Sequence, residues 1–429
     1  MTTAFVFTPD LCTGCEACRV ACGNENAGGH DTGWRQVTTF NPERHPTLPT
    51  RHLSLACNHC EVPACARACP TAAYRRDAAT GALLLADAKC IGCRYCSWVC
   101  PYDAPRYDEE RGVMTKCTFC AHRLEEGLAP ACVAACPTGA LAAGPRASIT
   151  EPLFHGLGAF GLRPALVIVP PRRTSPPDGL LVDDDGTPPS FPPRPPKITL
   201  GSEKGLFVFT LALPALAAWF AGGLRLPERA PPFVAFLGLA VIAFALSTAH
   251  LGRPLRAWRA VLGLGTSWLS REVAAAGLFA TLALAHVTMR GAVPALGVAG
   301  LAAAVLMVAA MDGVYLAIPR AKGPRLHGGE ATTALALLGG IAAGLPWVSA
   351  AAALTKTALI LRRWRMRALG MPVWAGLARL ALLAAAFGPW PWGVAFGLAL
   401  ASEAIDRAAF YAGLGPSTPA SRMEAEATS

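Results

Sequence analysis

The sequence predicts a multidomain chain in which an α+β domain comes first and an all-α bundle of about eight membrane-crossing helices follows. Three observations predict this: sixteen cysteines confined to residues 12–136, ten prolines between Pro170 and Pro196, and a succession of long apolar runs from residue 204 onward. The expected boundaries are a first domain over 1–169, a linker over 170–200, a membrane domain over 201–412 and a disordered tail over 413–429.

The cysteines fall into four groups with none left over: Cys12, Cys15, Cys18, Cys22; Cys57, Cys60, Cys65, Cys69; Cys90, Cys93, Cys96, Cys100; and Cys117, Cys120, Cys132, Cys136. The first and third read C-x2-C-x2-C-x3-C, the bacterial ferredoxin spacing, in which three close thiolates hold one cubane iron-sulfur cluster and the fourth reaches a neighbouring one. A tight turn presents thiolates around a compact inorganic core, and a proline then stops the chain after the fourth. Pro70, Pro101 and Pro137 stand there in groups two, three and four, and Gly23 in group one. Groups two and four stretch the middle gap but keep the final x3 step. The pattern predicts a polyferredoxin-like electron wire. A disulfide framework is the habit of short secreted chains. Structural zinc is the stronger alternative, because C-x2-C pairs hold zinc as well, but zinc does not explain four consecutive quartets.

Charge separates the two halves. Residues 1–200 carry 19 Lys+Arg against 19 Asp+Glu, so the net charge of +10 belongs to the remainder. There the cations lie between apolar runs, where they read as loop charge orienting membrane helices rather than as a nucleic-acid surface. Nucleic acid is therefore not an expected partner. The proline-rich stretch, interrupted by Asp183, Asp184 and Asp185, reads as an extended, semi-rigid spacer, as if two separate subunits had been joined. The opening MTTAFVFTPD has neither a basic n-region nor a long apolar h-region, so no secretory signal is expected.

Apolar segments lie near 204–223, 233–251, 271–289, 292–316, 331–343, 345–361, 372–388 and 391–411. About 20 residues cross a bilayer, so the run from Ala331 to Leu361 is either one overlong helix or two, broken at Gly344 and Pro346. Two are preferred, which makes eight in all. Their richness in Ala, Gly and Leu suits close helix packing in lipid.

The local sequences CNHCEVPACARACP, CIGCRYCSWVCPYDAPRY and MTKCTFC resemble the electron-transfer subunit of the dimethyl sulfoxide reductase family over about residues 1–145. HLGRPLRAWRAVLGLGTSWLSRE, from His250 to Glu272, resembles the membrane anchor subunit of the same family, and weaker hydropathy similarity extends this to about 412. The resemblance implies a partner, a molybdopterin catalytic subunit on another polypeptide, together with membrane lipid and a quinone pool of ubiquinone or menaquinone. It implies no catalytic site on this chain. It also implies that groups one and four exchange their last cysteines, as do groups two and three. The ligand sets would be Cys12, Cys15, Cys18 with Cys136; Cys117, Cys120, Cys132 with Cys22; Cys57, Cys60, Cys65 with Cys100; and Cys90, Cys93, Cys96 with Cys69. Four [4Fe-4S] clusters are expected, because every ligand position is Cys.

If the cluster domain precedes the first helix, the second helix returns to the same side, and His250, Arg253, Arg256, Arg271 and Glu272 gather there. Quinone chemistry moves protons with electrons, so a His and a carboxylate suit it, with Arg to hold an oxygen. The resemblance gives quinol binding to His250, Arg256 and Glu272. The competing reading is that His250 caps a helix and the arginines sit among headgroups. Glu403, Arg407 and Tyr411, spaced i, i+4, i+8, either line the same pocket or form an internal ion pair. Lys356 within an apolar run is a functional candidate as an intramembrane charge, and a b-type haem between His250 and His286 is a further alternative.

Lys/Arg excess marks the cytoplasmic face. Arg253, Arg256, Arg259, Arg320, Lys322, Arg325, Arg362, Arg363, Arg365 and Arg367 would share one side, and Arg225, Arg229 and Arg290 the other. The expectation is a multi-pass protein of the bacterial inner membrane with cytoplasmic clusters; since the resemblance implies that dimethyl sulfoxide reductases of the family are exported, this favours sulfite oxidation with quinone reduction. S-oxide or N-oxide reduction with quinol oxidation is the alternative, and a self-contained redox sensor or transporter a more distant one.

Overall fold

The structure, a computed structural model, describes residues 3–27, 33–40, 50–145, 157–158, 160–169, 198–319, 329–365, 373–419 and 421–422. Contacts along the chain divide it into two units. One holds Met1–Pro195 with Pro319–Lys322 and Pro416–Ser429; the other holds Pro196–Ile318 and Gly323–Gly415. The expected spacer, with its prolines and its acidic run, lies outside the described residues.

In the first unit, β1 (Thr3–Phe7) is followed by α1 (Ala17–Ala27), β2 (Gln36–Phe40), β3 (Arg51–Leu55), α2 (Ala64–Ala68), β4 (Tyr74–Arg76), β5 (Leu83–Leu85) and α3 (Tyr95–Trp98). Then come β6 (Arg106–Asp108), β7 (Val113–Thr115), α4 (Ala121–Glu125), α5 (Ala131–Ala134), β8 (Leu141–Pro145) and β9 (Leu166–Ile168). β1 is the centre of a three-stranded sheet, antiparallel to β8 and parallel to β9. β2–β3, β4–β5 and β6–β7 are two-stranded antiparallel pairs. Phe5 and Phe7, two residues apart on β1, are both buried, as the period of two in a strand requires. Elements this short cannot bury a large core. Cysteines fill it instead: Cys18, Cys57, Cys60, Cys100, Cys117 and Cys132 pack with Phe5, Phe7, Leu53 and Phe119.

The tail expected to be disordered from 413 is folded as far as Arg422 among the described residues. Ser417 donates its backbone N–H to the Pro319 carbonyl at 2.8 Å, and the Arg422 guanidinium lies 4.4 Å from the centre of the Phe160 ring.

The second unit contains eight helices among the described residues: α6 (Lys204–Arg225), α7 (Phe233–Ala249), α8 (Trp268–Thr288), α9 (Pro294–Leu316), α10 (Glu330–Ala342), α11 (Pro346–Arg365), α12 (Val373–Ala385) and α13 (Trp392–Gly413). The run from Ala331 to Leu361 does divide, at Gly344, whose φ of +64° is costly for any residue with a Cβ. Among the described residues, α6, α8 and α9 are the helices long and apolar enough to cross a membrane. A fourth span arises if α7 is joined to the 3-10 segment Pro254–Val261, from which it is bent by 103°. α10 and α12, at 13 residues each, are about 20 Å long, short of a hydrocarbon core of about 30 Å. Val234, Val241, Ile242, Leu278, Val305 and Leu306 are exposed on α7, α8 and α9, an outward apolar surface suited to lipid.

Small residues set the packing distance. A Cβ on Gly222 of α6 would lie 2.7 Å from the Ala342 Cβ of α10, so glycine permits this approach. Pro214 stays helical inside α6, as membrane helices tolerate when neighbours compensate for the lost donor.

Candidate metal centres and a buried polar site

Each cysteine group begins with the same turn. The residue immediately before the second cysteine has left-handed backbone in all four: Gly14 (φ +71°), His59 (φ +42°), Gly92 (φ +72°) and Phe119 (φ +66°). Glycine adopts this freely; His59 and Phe119 adopt it at a cost. In that conformation the backbone N–H points back at the first cysteine: Gly92 N to Cys90 Sγ is 3.4 Å and Phe119 N to Cys117 Sγ is 3.3 Å. The last cysteines of two groups also accept from the backbone, Cys69 from Ala73 and Cys136 from Leu141, both at 3.4 Å. Donors aimed at sulfur favour thiolate over thiol. The rings of His59 and Phe119 pack with centroids 4.9 Å apart, and the Leu83 N–H bonds His59 Nδ1 at 3.0 Å, so those two turns are braced against each other and against β5. Burial first, then the charges of Lys116 and Arg76, hold His59 well below its ordinary pKa, and it stays neutral.

Each gathering of thiols draws on two groups. Burial raises the Cys12 pKa, and the thiols bearing on it are Cys18, Cys136 and Cys15. Cys60, likewise raised by burial, has Cys57 and Cys100 as its neighbours, and those three line one cavity with Cys65. Cys93, also raised by burial, adjoins Cys69 and Cys90. Cys117 has Cys57, Cys132 and Cys22 as its thiol neighbours, the first of them from the adjoining set, and the Asn26 amide lies 3.8 Å from Cys22 Sγ and 4.0 Å from Cys120 Sγ. Each of the four gatherings thus contains the last cysteine of a different group. All sixteen cysteines are free thiols, which disposes of the disulfide reading. Among the described residues no three His, Cys, Asp or Glu side chains close on a single metal ion, as zinc with its sulfurs at about 2.3 Å requires. Gatherings made of thiols alone are the donor set that cubane iron-sulfur clusters take. The donor set therefore suits iron-sulfur clusters.

In the second unit, Glu272 in the first turns of α8 is 3 % exposed, with Arg407 of α13 and Asp312 of α9 as its charged neighbours. Tyr315 and Tyr411 share a hydrogen bond of 2.6 Å between their hydroxyls, and both bear on Arg407. Glu272, Arg407 and Tyr411 are thereby brought into one buried polar group across α8, α9 and α13. Asp312 is committed elsewhere: it accepts from Ala331 N at 2.8 Å and Thr332 Oγ1 at 2.6 Å, satisfying the start of α10.

Two expected members of the site lie elsewhere. Arg271 donates to the Leu264 and Gly265 carbonyls, both at 3.0 Å, and stacks 4.7 Å from the Trp268 ring, so it secures the turn before α8. Glu403 accepts from Lys356 Nζ at 2.8 Å. It pairs with Lys356, not with Arg407. Lys356 also meets Asp406 at 3.1 Å and Glu330 at 3.6 Å, while Arg379 reaches Asp406 at 2.8 Å. This cluster joins α10, α11, α12 and α13, and nothing at sequence level marked Glu330, Arg379 or Asp406.

His250 follows α7 and lies against Gly205, whose added Cβ would sit 3.5 Å from the His250 Cβ. Arg253 and Arg256 are on the bent segment after it, Arg253 exposed and Arg256 partly so. His286 packs on Phe220 with centroids 5.6 Å apart. Positions 205 and 220 are about 22 Å apart along α6 at 1.5 Å per residue, so no haem bridges the two histidines. At that far end, Arg225 donates to the Ala343 carbonyl at 2.9 Å and Arg229 to Ala342 at 3.0 Å, capping α10.

Comparison with known proteins matches residues 49–146 to the family described as a 4Fe-4S dicluster domain, and residues 230–315 to the DMSO reductase anchor subunit (DmsC). Over 146 residues the sequence is 39 % identical to a chain of the anaerobic dimethyl sulfoxide reductase of Haemophilus influenzae, covering 32 % of this protein and 71 % of the relative. Over 197 residues it is 36 % identical to YnfG, a probable anaerobic dimethyl sulfoxide reductase chain of Escherichia coli, covering 42 % and 94 %. A subunit of the sulfite dehydrogenase of Allochromatium vinosum is 33 % identical over 201 residues, covering 40 % and 84 %.

Proposed function

This protein is a member of the dimethyl sulfoxide reductase family, a fused iron-sulfur and membrane-anchor subunit, and from that premise we propose that it carries electrons between a quinone pool and a separate molybdopterin catalytic subunit through four [4Fe-4S] clusters. Each cluster supplies one-electron transfer when bound. The single observation that carries the reading is the exchange of last cysteines, with Cys136 beside Cys12 and Cys18, and Cys100 beside Cys57 and Cys60. A thiol lent to the neighbouring set ties two cores into one short path, as an electron wire requires.

The quinone end falls to Glu272, Arg407, Tyr411 and His250, with Arg253 and Arg256 on the bent segment beside His250. The Glu272 carboxylate holds or releases a proton, Arg407 fixes its charge, and the Tyr315–Tyr411 hydroxyl pair offers a donor to a ring oxygen. Arg271 and Glu403 position the surrounding backbone and helices.

The terminal reaction proposed is sulfite oxidation with quinone reduction, the cluster domain lying on the cytoplasmic side of a bacterial inner membrane. Arg225 and Arg229 support that orientation, because both bond α10 carbonyls and leave less free positive charge at the end where α6 finishes. The relatives named for dimethyl sulfoxide reduction favour the second reading, S-oxide reduction with quinol oxidation. Purified complex supplied separately with sulfite plus a quinone analogue, and with dimethyl sulfoxide plus a quinol analogue, distinguishes them. Turnover with dimethyl sulfoxide alone defeats the sulfite assignment.

A further inference from the structure

Arg35 is a buried cation without a counter-ion of the usual kind. It is 2 % exposed, and no carboxylate pairs with it among the described residues. Its Nη1 donates to Ser54 Oγ at 3.0 Å, and its guanidinium carbon lies 4.6 Å from the centre of the Phe5 ring. Nε and Nη2 have no oxygen or nitrogen partner at hydrogen-bond geometry among the described residues, and the side chain bears instead on the Cys132 thiol. An uncompensated buried charge costs several kcal/mol, so something anionic must answer it. The groups electrostatically nearest are Cys132, Cys117, Cys18 and Cys22. Cys18 belongs to the set with Cys12, Cys15 and Cys136; the other three belong to the set completed by Cys120. Arg35 therefore acts on two thiol sets at once.

Ser54 extends the contact. A guanidinium only donates, so Ser54 Oγ accepts from Arg35 and its own O–H is left to donate to Cys18 Sγ, 3.3 Å away. Lys116, a second buried cation among the described residues of this unit, is bonded to the carbonyls of Leu83 and Cys117 and bears on Cys60 and Cys65, a different thiol set.

We propose that Arg35 is the positioning residue that raises the reduction potential of two of the four clusters, those held by Cys12, Cys15, Cys18, Cys136 and by Cys117, Cys120, Cys132, Cys22. The inference rests on the four-cluster reading. A core ringed by four thiolates is anionic and gains a further negative charge on reduction, and a fixed cation in a medium of low dielectric favours that more negative state.

The test is a redox titration followed by electron paramagnetic resonance on the intact complex, with iron and sulfide counted in each sample. In Arg35→Met two of the four couples shift to lower potential by at least tenfold in the oxidised-to-reduced ratio at fixed poise, which is about 59 mV for a one-electron couple. Arg35→Lys, which keeps the charge, restores most of that shift. Two unmoved couples serve as the internal reference. Full iron content with no couple displaced overturns the proposal, as does an equal displacement of all four. If Arg35→Met does not retain its iron, Ser54→Ala decides: a smaller fall confined to two couples sustains the proposal, and unmoved couples overturn it. Wild-type protein lacking about sixteen iron defeats the four-cluster reading instead, before any variant is compared.

Discussion

Glu272 and Lys356 are both buried acid-base groups in an apolar bundle, yet their surroundings assign them opposite work. Glu272 has Arg407 and Asp312 near it, and Asp312 is already bonded to α10, so the Glu272 carboxylate remains available for proton exchange. Lys356 is held by Glu403, Asp406 and Glu330, leaving it no spare role. Glu272→Gln and His250→Ala are accordingly expected to abolish reduction of the clusters by a quinol analogue while dithionite still reduces them; survival of quinol reduction in both variants would place the site elsewhere. Lys356→Met removes the cation that Glu403, Asp406 and Glu330 share, and breaking a buried pair costs about 3–5 kcal/mol. Thermal unfolding in detergent should register that loss, and quinol reduction per folded molecule should stay at the wild-type level. These distinctions were only half legible in the sequence. Glu403, Arg407 and Tyr411 lie on one helical face by spacing alone, but which of them meets Lys356 depends on helices far apart in the chain. Arg35 gave no signal, being one arginine in a polar stretch. Gly14 and Gly92 announce the left-handed residue of the cysteine turn, whereas His59 and Phe119 hide the same conformation behind side chains that rarely adopt it.

Helix positions were the easiest elements to read, because a run of twenty apolar residues has few alternatives in water or lipid. The division at Gly344 and Pro346 followed from two residues that end helices for separate reasons, one through positive φ and one through its missing donor. The bent 3-10 segment Pro254–Val261 was not anticipated. Its Leu255 and Trp258 are 94 % and 65 % exposed, and with Arg253, Arg256 and Arg259 interleaved it has the composition of a segment lying in the membrane interface. Periodicity over eight residues is too short to reveal that. Helix contacts were also invisible, although the glycines that permit them are plain in the sequence. Gly222→Ala forces a Cβ to within 2.7 Å of Ala342, and overpacking of this kind costs about 1–3 kcal/mol. Gly238→Ala on α7 meets nothing within 4 Å and should be neutral or gain up to about 1 kcal/mol from helix propensity. Comparing the two unfolding midpoints tests whether α6 and α10 pack as closely as described; equal midpoints would count against it.

At the scale of the whole molecule, the two units depend on different physics, and that difference can be measured. The first has short strands and short helices with cysteines as much of its core, so cluster binding supplies folding free energy that its apolar contacts alone do not. Reconstituted protein should hold about sixteen iron and sixteen sulfide per molecule, four of each per cubane, and chelation of the iron should unfold this unit while the helices of the second remain; four zinc and no sulfide would end the electron-wire reading. The second unit sets the orientation. Arg253, Arg256 and Arg259 lie just beyond the end of α7, at the same end of the bundle as the start of α6, since α6 and α7 are successive helices joined by a short turn. Arg320, Lys322, Arg325 and Arg367 fall outside the described residues and enter the count from sequence alone. At the opposite end Arg225 and Arg229 are bonded to α10 carbonyls, where a helix terminus carries partial negative charge that they offset. A Lys/Arg excess in short loops belongs on the cytoplasmic face, so the clusters should be cytoplasmic and the 170–197 stretch shielded in right-side-out vesicles. Protease added to such vesicles is expected to leave the protein whole and to cut it within that stretch only after the membrane is opened. Cleavage there from outside would put the clusters on the other face, remove the charge argument for sulfite oxidation, and restore S-oxide reduction as the better reading.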